Sequence, residues 1–333
     1  MPEDDAARSV EQSQQPTLVH FRYRPIARDM WLDDEVANLK EAETGISLTI
    51  RQQRKDEQNF APGNAVVEIT CVRSIPARAI SDALKTGELS CKKQAVQTAS
   101  QGMYSFARRA LKVIRWRQGV SGHPDPIRWG DPLQWSLDGV NWKGCADALH
   151  IGFGYMVVHK KWSETIAASV GELVLGNNAE PLGHELLHEA EELFRTRNLR
   201  SAVVIAVAAA EVGFKRFVAE LRPECEWLLL NVPSPSPSPS LEKMLTDFLP
   251  IIPVRRKIRD KLPAIPPSIL GQIKKANTLR NQIVHGRSVA VKENTVVETL
   301  PSLKDFLYLM DFWLGMEWAW ENIQYKTQQE LVA

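Results

Sequence analysis

The chain has 333 residues, of which 44% are hydrophobic and 24% charged, a composition that predicts a globular protein with two domains. The net charge of +1 excludes a chain that is strongly basic throughout but permits local basic patches. The longest strongly apolar run, Ala202 to Ala210, is too short to span a bilayer, and the amino terminus has no signal-peptide pattern. The four cysteines lack Cys-x-x-Cys spacing, which is typical of reduced thiols, so we expect a soluble cytoplasmic protein.

The first predicted elements follow an acidic, polar tail, residues 1–16, which we expect to be disordered. Three runs rich in β-branched or aromatic residues then predict strands: TLVHFRYR, GISLTIRQ and NAVVEITCV. Further along, Asp138-Gly139 predicts a tight type I′ turn in the hairpin LQWSLDGVNWKG. Residues 17–176 therefore predict an α+β domain, whose role the sequence does not reveal.

One long helix, roughly Lys92 to Gln118, interrupts these strands and carries a row of basic side chains on the side opposite its apolar face. We interpret this row as a solvated basic face, with contact to an RNA backbone as the alternative. Its members are Arg108, Arg109, Lys112, Arg115 and Arg117.

From Pro181 onward the pattern changes to long helices, so residues 181–326 predict an all-α bundle after the α+β domain. The Ser-Pro repeat at 233–240 lies between helices that are apolar enough to need each other, and we interpret it as a mobile loop within one bundle. The predicted helices are Pro181–Arg197, Leu199–Glu220, Leu241–Leu249, Pro267–His285 and Pro301–Gln324.

The first of these helices contains His-Glu-Leu-Leu-His, the spelling of a zinc-peptidase motif. On a helical wheel, His184 and His188 fall opposite the apolar arc, among charged residues. We therefore interpret both histidines as solvated surface residues and expect no metal. The alternative is a zinc hydrolase that uses His184, His188 and Glu211.

A second candidate site combines two later helices. Glu211 stands inside an almost wholly apolar helix, and Arg280 projects into the apolar arc of Pro267–His285, so we predict that the two charges form a buried ion pair. His285 follows at the end of that helix, near Asn281, and Gly286 is predicted to end the helix. A histidine can exchange a proton near pH 7.

The segment LRNQIVHG resembles the Arg-Asn-x-x-x-His signature of HEPN domains, with Arg280, Asn281 and His285 at the matching positions. The two helices before it are also similar to the first two helices of that family, including the acidic residue Glu211. The resemblance implies a HEPN-like bundle and a metal-independent endoribonuclease without a cofactor, acting in bacterial antiviral defence or as a toxin. An antitoxin or regulatory protein is then a further partner.

The resemblance implies that Arg280, Asn281 and His285 are catalytic and that Glu211 supports them. The alternative within the family is a non-catalytic protein that only binds RNA or a partner protein. The basic residues that we expect to bind RNA are Lys274, Lys275, Arg287, Arg255 and Arg256.

The last predicted helix carries more bulky apolar surface than a small bundle readily covers, so we expect a homodimer through the carboxy-terminal half. The residues concerned are Phe306, Leu307, Met310, Trp313, Leu314, Trp318 and Trp320.

Overall fold

A computed structural model of the chain divides into two compact units, Met1–Ala179 and Glu180–Ala333. The boundary expected between residues 176 and 181 contains this junction. Most of the predicted tail (residues 1–15) and the Ser-Pro repeat at 233–240 lie outside the described residues, whereas Pro16 already belongs to the first strand. The structure describes residues 16–24, 26–27, 37–52, 65–128, 133–146, 152–153, 163–225 and 241–333.

The first unit is built on a seven-stranded antiparallel sheet with the order β3-β4-β5-β1-β7-β8, and β2 also pairs with β5. The alternating side chains of β1 bury Val19, Phe21 and Tyr23 on one face, as period-2 patterning requires. The three predicted strand runs are confirmed as β1, β4 and β5. The strands of this sheet are β1 (Pro16–Tyr23), β2 (Ile26–Ala27), β3 (Ala37–Lys40), β4 (Ser47–Gln52), β5 (Ala65–Pro76), β7 (Gln134–Ser136) and β8 (Lys143–Gly144).

Three helices complete this unit, together with a small second sheet in which β6 (Ile127–Arg128) pairs with β9 (Gly152–Phe153). The long central helix α2 is confirmed, and its apolar side packs with the buried face of the sheet in one hydrophobic core. The helices are α1 (Ala77–Thr86), α2 (Gln94–Gln118) and α3 (Glu164–Leu175).

The hairpin of β7 and β8 is confirmed, but the tight type I′ turn within it is wrong. Trp135 pairs with Lys143, so residues 137–142 form a longer loop. The Asp138 carboxylate organises that loop because it accepts hydrogen bonds from the amides of Val140 and Asn141, both at 2.8 Å. These bonds hold the pKa of Asp138 well below its usual range. Asp138 therefore stabilises a wide loop instead of a two-residue turn.

The interpretation of the α2 cations as a solvated basic face is confirmed for Arg108, which is exposed and pairs with Asp125 at 3.3 Å, but it is wrong for most of the row. Lys112, Arg115 and Arg117 are buried, and the Arg117 Nε donates to Ser169 Oγ at 2.7 Å. The Arg115 guanidinium donates to the backbone carbonyl of His123. Long basic side chains can bury their apolar stems when their charged ends reach hydrogen-bond acceptors. Nearer the start of the row, Arg109 forms an ion pair with Glu41 at 2.6 Å.

The second unit is helical. Helix α5 contacts α4, α6 and α7, and α7 also contacts α4 and α6. The helix that begins at Leu199 therefore packs against the three other long helices of the unit, as is typical of an almost wholly apolar helix. The predicted helix Leu241–Leu249 is a helical turn at Leu241–Lys243 that continues as a π-helical turn, Met244–Phe248, and a 3₁₀ turn, Leu249–Ile251. Further 3₁₀ turns lie at Pro223–Cys225 and Glu317–Asn322. The helices are α4 (Leu182–Arg195), α5 (Leu199–Leu221), α6 (Pro267–Val284), α7 (Glu293–Trp313) and α8 (Tyr325–Val332).

The predicted last helix, Pro301–Gln324, is wrong at both ends because α7 begins at Glu293 and ends at Trp313, with Pro301 inside it. Proline has no amide hydrogen for the carbonyl four residues earlier. That carbonyl belongs to Val297, which is about half exposed, so water can replace the missing donor.

The expected dimer surface on this helix is not exposed either. Trp318 and Trp320 are half-buried, and the remaining five residues are buried inside the unit itself. The apolar argument for a homodimer is therefore wrong, and homodimerisation stays a prediction. None of the helices in the described ranges has the length and hydropathy of a membrane span.

Helices α4 and α5 approach each other closely at two glycines. A Cβ atom at Gly183 would lie 3.1 Å from the Ala209 carbonyl oxygen and 3.1 Å from the Gly213 Cα. A Cβ atom at Gly213 would overlap the side chain of Leu307 on α7. The two glycines therefore allow three helices to meet at one point.

We predict that Gly213→Ala lowers the free energy of unfolding by about 1–3 kcal/mol, because the added methyl group overpacks the contact with Leu307. Gly271→Ala in α6 is the matched control, since a Cβ there meets nothing within 4 Å. It should raise stability by about 0.5–1 kcal/mol through the better helix propensity of alanine. Urea denaturation of both variants measures the difference, and equal effects would contradict the close packing at Gly213.

Candidate functional site

The candidate site lies at the carboxy-terminal end of α6, whose backbone fixes the position of His285. Gly286 has a φ of 74°, in the left-handed region that glycine adopts without strain. The Gly286 amide donates to the Ile283 carbonyl at 3.0 Å, and the Arg287 amide donates to the Gln282 carbonyl at 2.9 Å. This pair of bonds is a Schellman motif. The prediction that Gly286 ends this helix is confirmed, and His285 occupies the C-cap position.

The predicted triad lies in the last turns of α6 and at its C-cap. The Arg280 guanidinium donates to Asn281 Oδ1 at 3.0 Å, and Arg280 is half-buried. Asn281 and His285 are exposed, and they lie one helical turn apart on the same side of α6. The arrangement therefore presents an accessible imidazole, an amide and a guanidinium to a ligand in solvent.

The predicted ion pair between Glu211 and Arg280 is not formed: within the described ranges, no ion pair joins these two side chains. Both side chains are half-buried, so water can solvate each charge and neither needs the other. Glu211 thus lies on α5, a neighbour of α6, without a demonstrated link to the triad.

The predicted RNA-binding residues separate into two groups. Arg255 donates to the backbone carbonyl of Glu220 at 2.9 Å, and Arg256 pairs with the Glu317 carboxylate and lies over the ring of Phe312. These contacts give Arg255 and Arg256 a packing role beside the end of α7.

The other group lies on α6 and just beyond it. Lys274 pairs with Glu242 at 2.7 Å, so its charge is already compensated. Lys275 and Arg287 are exposed; Lys275 lies in the middle of α6, and Arg287 lies two residues beyond His285. Of the five predicted RNA-binding residues, these two remain accessible to a phosphate group that binds near the triad.

The two histidines of the zinc-like motif are buried, so their interpretation as solvated surface residues is wrong. His184 is 3% exposed, its Nε2 lies 2.8 Å from Asp311 Oδ2, and its ring packs against Tyr308. The other oxygen of Asp311 accepts a hydrogen bond from Arg216 at 2.8 Å, and Arg216 also pairs with Glu220. Helix α7 covers the arc of α4 that a helical wheel assigns to solvent.

His188 lies between two carboxylates. Its Nε2 is 3.2 Å from Glu180, which is buried, and its Nδ1 is 3.1 Å from Glu191. A neutral imidazole has only one N–H, so the three groups must share an additional proton for both contacts to be hydrogen bonds. In the part of the chain that the structure describes, no group of three His, Cys, Asp or Glu side chains is arranged to hold a metal ion. The zinc alternative therefore has no supporting geometry around His184 and His188.

Sequence reasoning missed the buried acids of α7, although a signal was present. Asp305 and Asp311 are the acids within the largely apolar run DFLYLMDFWL. The Asp305 carboxylate accepts hydrogen bonds from the Gln324 amide at 3.0 Å and from the Thr327 hydroxyl, and so ties α8 to α7. Burial raises the pKa of Asp305, while these hydrogen bonds act in the opposite direction.

We predict that Asp311→Ala lowers the free energy of unfolding by about 3–5 kcal/mol, because it leaves Arg216 and His184 without their buried acceptor. Glu220→Ala is the matched control. It removes the more exposed partner of Arg216 and should cost about 0–1 kcal/mol. Urea denaturation with circular dichroism measures both, and a small loss for Asp311→Ala would mean that the network does not stabilise the bundle.

Comparisons of this chain with protein-family models, with curated proteins and with solved structures gave no match.

Proposed function

We propose that the protein is a metal-independent endoribonuclease of the HEPN type, with its active site at the carboxy-terminal end of α6. The observation that supports this most directly is the exposed His285 at the C-cap, one turn from Asn281, whose side chain accepts a hydrogen bond from the Arg280 guanidinium. The motif that resembles the family signature is thus located on one accessible helix end. A role in antiviral defence or as a toxin, and pairing of two copies, are part of the proposal through that resemblance alone.

The chemistry required is attack of a ribose 2′-hydroxyl on the adjacent phosphate. His285 would take the proton from that hydroxyl as a general base, or give a proton to the leaving 5′-oxygen as a general acid. The 2′-oxygen–phosphorus bond forms as the bond to the 5′-oxygen breaks. The products are then a 2′,3′-cyclic phosphate and a 5′-hydroxyl.

Arg280 would bind the phosphate that is attacked. Its planar guanidinium can donate two parallel hydrogen bonds to phosphate oxygens and stabilise the charge that develops in the transition state. Asn281 already accepts one N–H of that guanidinium, which restricts the orientations that Arg280 can adopt. Exposed Lys275 and Arg287 would contact neighbouring phosphates along the RNA backbone.

We predict that His285→Asn reduces the rate of RNA cleavage about 10²–10⁴-fold, because asparagine keeps a polar side chain at the C-cap but cannot transfer a proton near pH 7. The melting temperature should be unchanged, since this side chain is exposed. Cleavage of total RNA by the parent should persist in EDTA and leave 2′,3′-cyclic phosphate ends.

The matched control is Thr278→Ala, an exposed residue on α6 whose hydroxyl bonds only to the Lys274 carbonyl. It should cleave RNA like the parent. Cleavage that stops on chelation, or that survives in His285→Asn, would contradict the proposed site. RNA binding without any cleavage by the parent would instead support the non-catalytic member of the family.

A second prediction concerns Arg280. Arg280→Lys keeps the positive charge but loses the planar pair of donors, so we expect kcat to fall about 10²–10³-fold with a smaller change in KM. Arg200→Lys, an exposed arginine in the first turn of α5, is the control and should leave both constants unchanged. Single-turnover cleavage of a labelled oligonucleotide measures the difference, and equal rates for both variants would remove Arg280 from the site.

A further inference from the structure

Two of the cysteines, far apart in the sequence, lie side by side in the first unit. Cys91 belongs to the segment between α1 and α2, and Cys145 directly follows β8. The Cys91 amide donates to the Ala146 carbonyl at 2.9 Å, and the Ala146 amide donates to the Leu89 carbonyl at 2.8 Å. Ser90 and Ala146 form a parallel bridge between these two segments. The backbone therefore holds the two cysteines on adjacent, paired stretches of chain.

The side chains of Cys91 and Cys145 interact with each other, and their exposures differ. Cys145 is buried, whereas Cys91 is half-buried. The hydrogen bond to Cys91, and then burial, raise the pKa of the Cys145 thiol. Cys91 is the more exposed residue of the pair, so it is the one that a soluble oxidant reaches first.

Cys71 provides a contrast within the same core. It lies on β5 and is 2% exposed, and burial raises its pKa to about 11. A buried thiol with a high pKa is inert, because the thiolate is the reactive form. No disulfide includes Cys71, Cys91 or Cys145 in the structure. Among these three cysteines, Cys91 and Cys145 therefore combine a partly exposed residue with a neighbouring cysteine side chain.

We propose that Cys91 and Cys145 form an oxidation site, at which a peroxide converts the two thiols into an intramolecular disulfide. The Cys91 sulfur attacks one oxygen of hydrogen peroxide, the O–O bond breaks, and the products are a sulfenic acid on Cys91 and water. The Cys145 sulfur then attacks the Cys91 sulfur and displaces the hydroxyl group, which leaves as a second water with the proton of Cys145. The two thiols lose two electrons in total, and hydrogen peroxide accepts them.

The disulfide would act on the start of α2. Cys91 precedes the N-cap residue of that helix, Lys93, and Cys145 follows the edge strand β8. In the reduced protein, backbone hydrogen bonds and packing hold the start of α2 next to the edge of the sheet. A disulfide between the two cysteines would add a covalent restraint against their separation. Because loop closure constrains the unfolded chain, oxidation should raise the melting temperature.

The experiment treats the reduced full-length protein with hydrogen peroxide, blocks the remaining thiols with N-ethylmaleimide and maps the digest by mass spectrometry without reduction. We expect a peptide containing Cys91 linked to a peptide containing Cys145, with the loss of two hydrogen atoms, and reversal by dithiothreitol. Cys71→Ser should give the same linked peptide. Cys145→Ser should leave Cys91 as a sulfenic or sulfinic acid.

Disulfide mapping of the parent protein tests the proposal without the need for any variant. Oxidation of Cys91 with Cys145 still alkylated, a link from either residue to Cys71 or Cys225, or no link after prolonged treatment would each overturn it. The result does not depend on RNA cleavage, so the oxidation site and the proposed nuclease activity can fail separately.

Discussion

The helical unit depends on one buried carboxylate, that of Asp311 on α7. Its two oxygens contact His184 on α4 and Arg216 on α5, so a single side chain links three helices. A buried charge without these partners would be strongly unfavourable, and the requirement to satisfy it limits how the helices can rotate and slide. Gly183 and Gly213 allow the backbones of α4 and α5 to come close enough for these contacts. The packing of α4 and α5 against α7 therefore depends on the contacts of Asp311 and on these two glycines.

The same arrangement positions the candidate site without burying it. Helix α6 packs its apolar side, with Ile269, Ile273 and Ala276 buried, while its opposite side stays open to solvent. The Schellman motif then stops the helix so that His285 lies at an exposed end. A site on a helix end that packs against two other helices is held more firmly than one on a loop. Proton transfer needs this combination of fixed position and access.

The first unit shows a different use of polar groups. Its central helix α2 buries Arg115 and Arg117, whose charged ends reach a carbonyl and a hydroxyl group instead of solvent. Its start lies next to the paired thiols of Cys91 and Cys145. In both places the residue types are common ones, and it is their burial and their contacts in the folded chain that alter their chemical properties. A basic row along a helix is therefore not evidence for a nucleic-acid surface unless its exposure is known.

Local features follow from the amino-acid sequence alone. The strand β1, the carboxy-terminal end of α2 and the helix end at Gly286 depend on interactions within a few residues, and each of these predictions is confirmed. Tertiary structure alone decided three others: the burial of His184, the lack of an ion pair between Glu211 and Arg280, and the contact of Cys91 with Cys145. A helical wheel gives the direction of a side chain around its own axis, but not the height or crossing angle of the neighbouring helix. Contacts between segments that are distant in the sequence depend on that height and that angle, and a local sequence pattern contains information about neither.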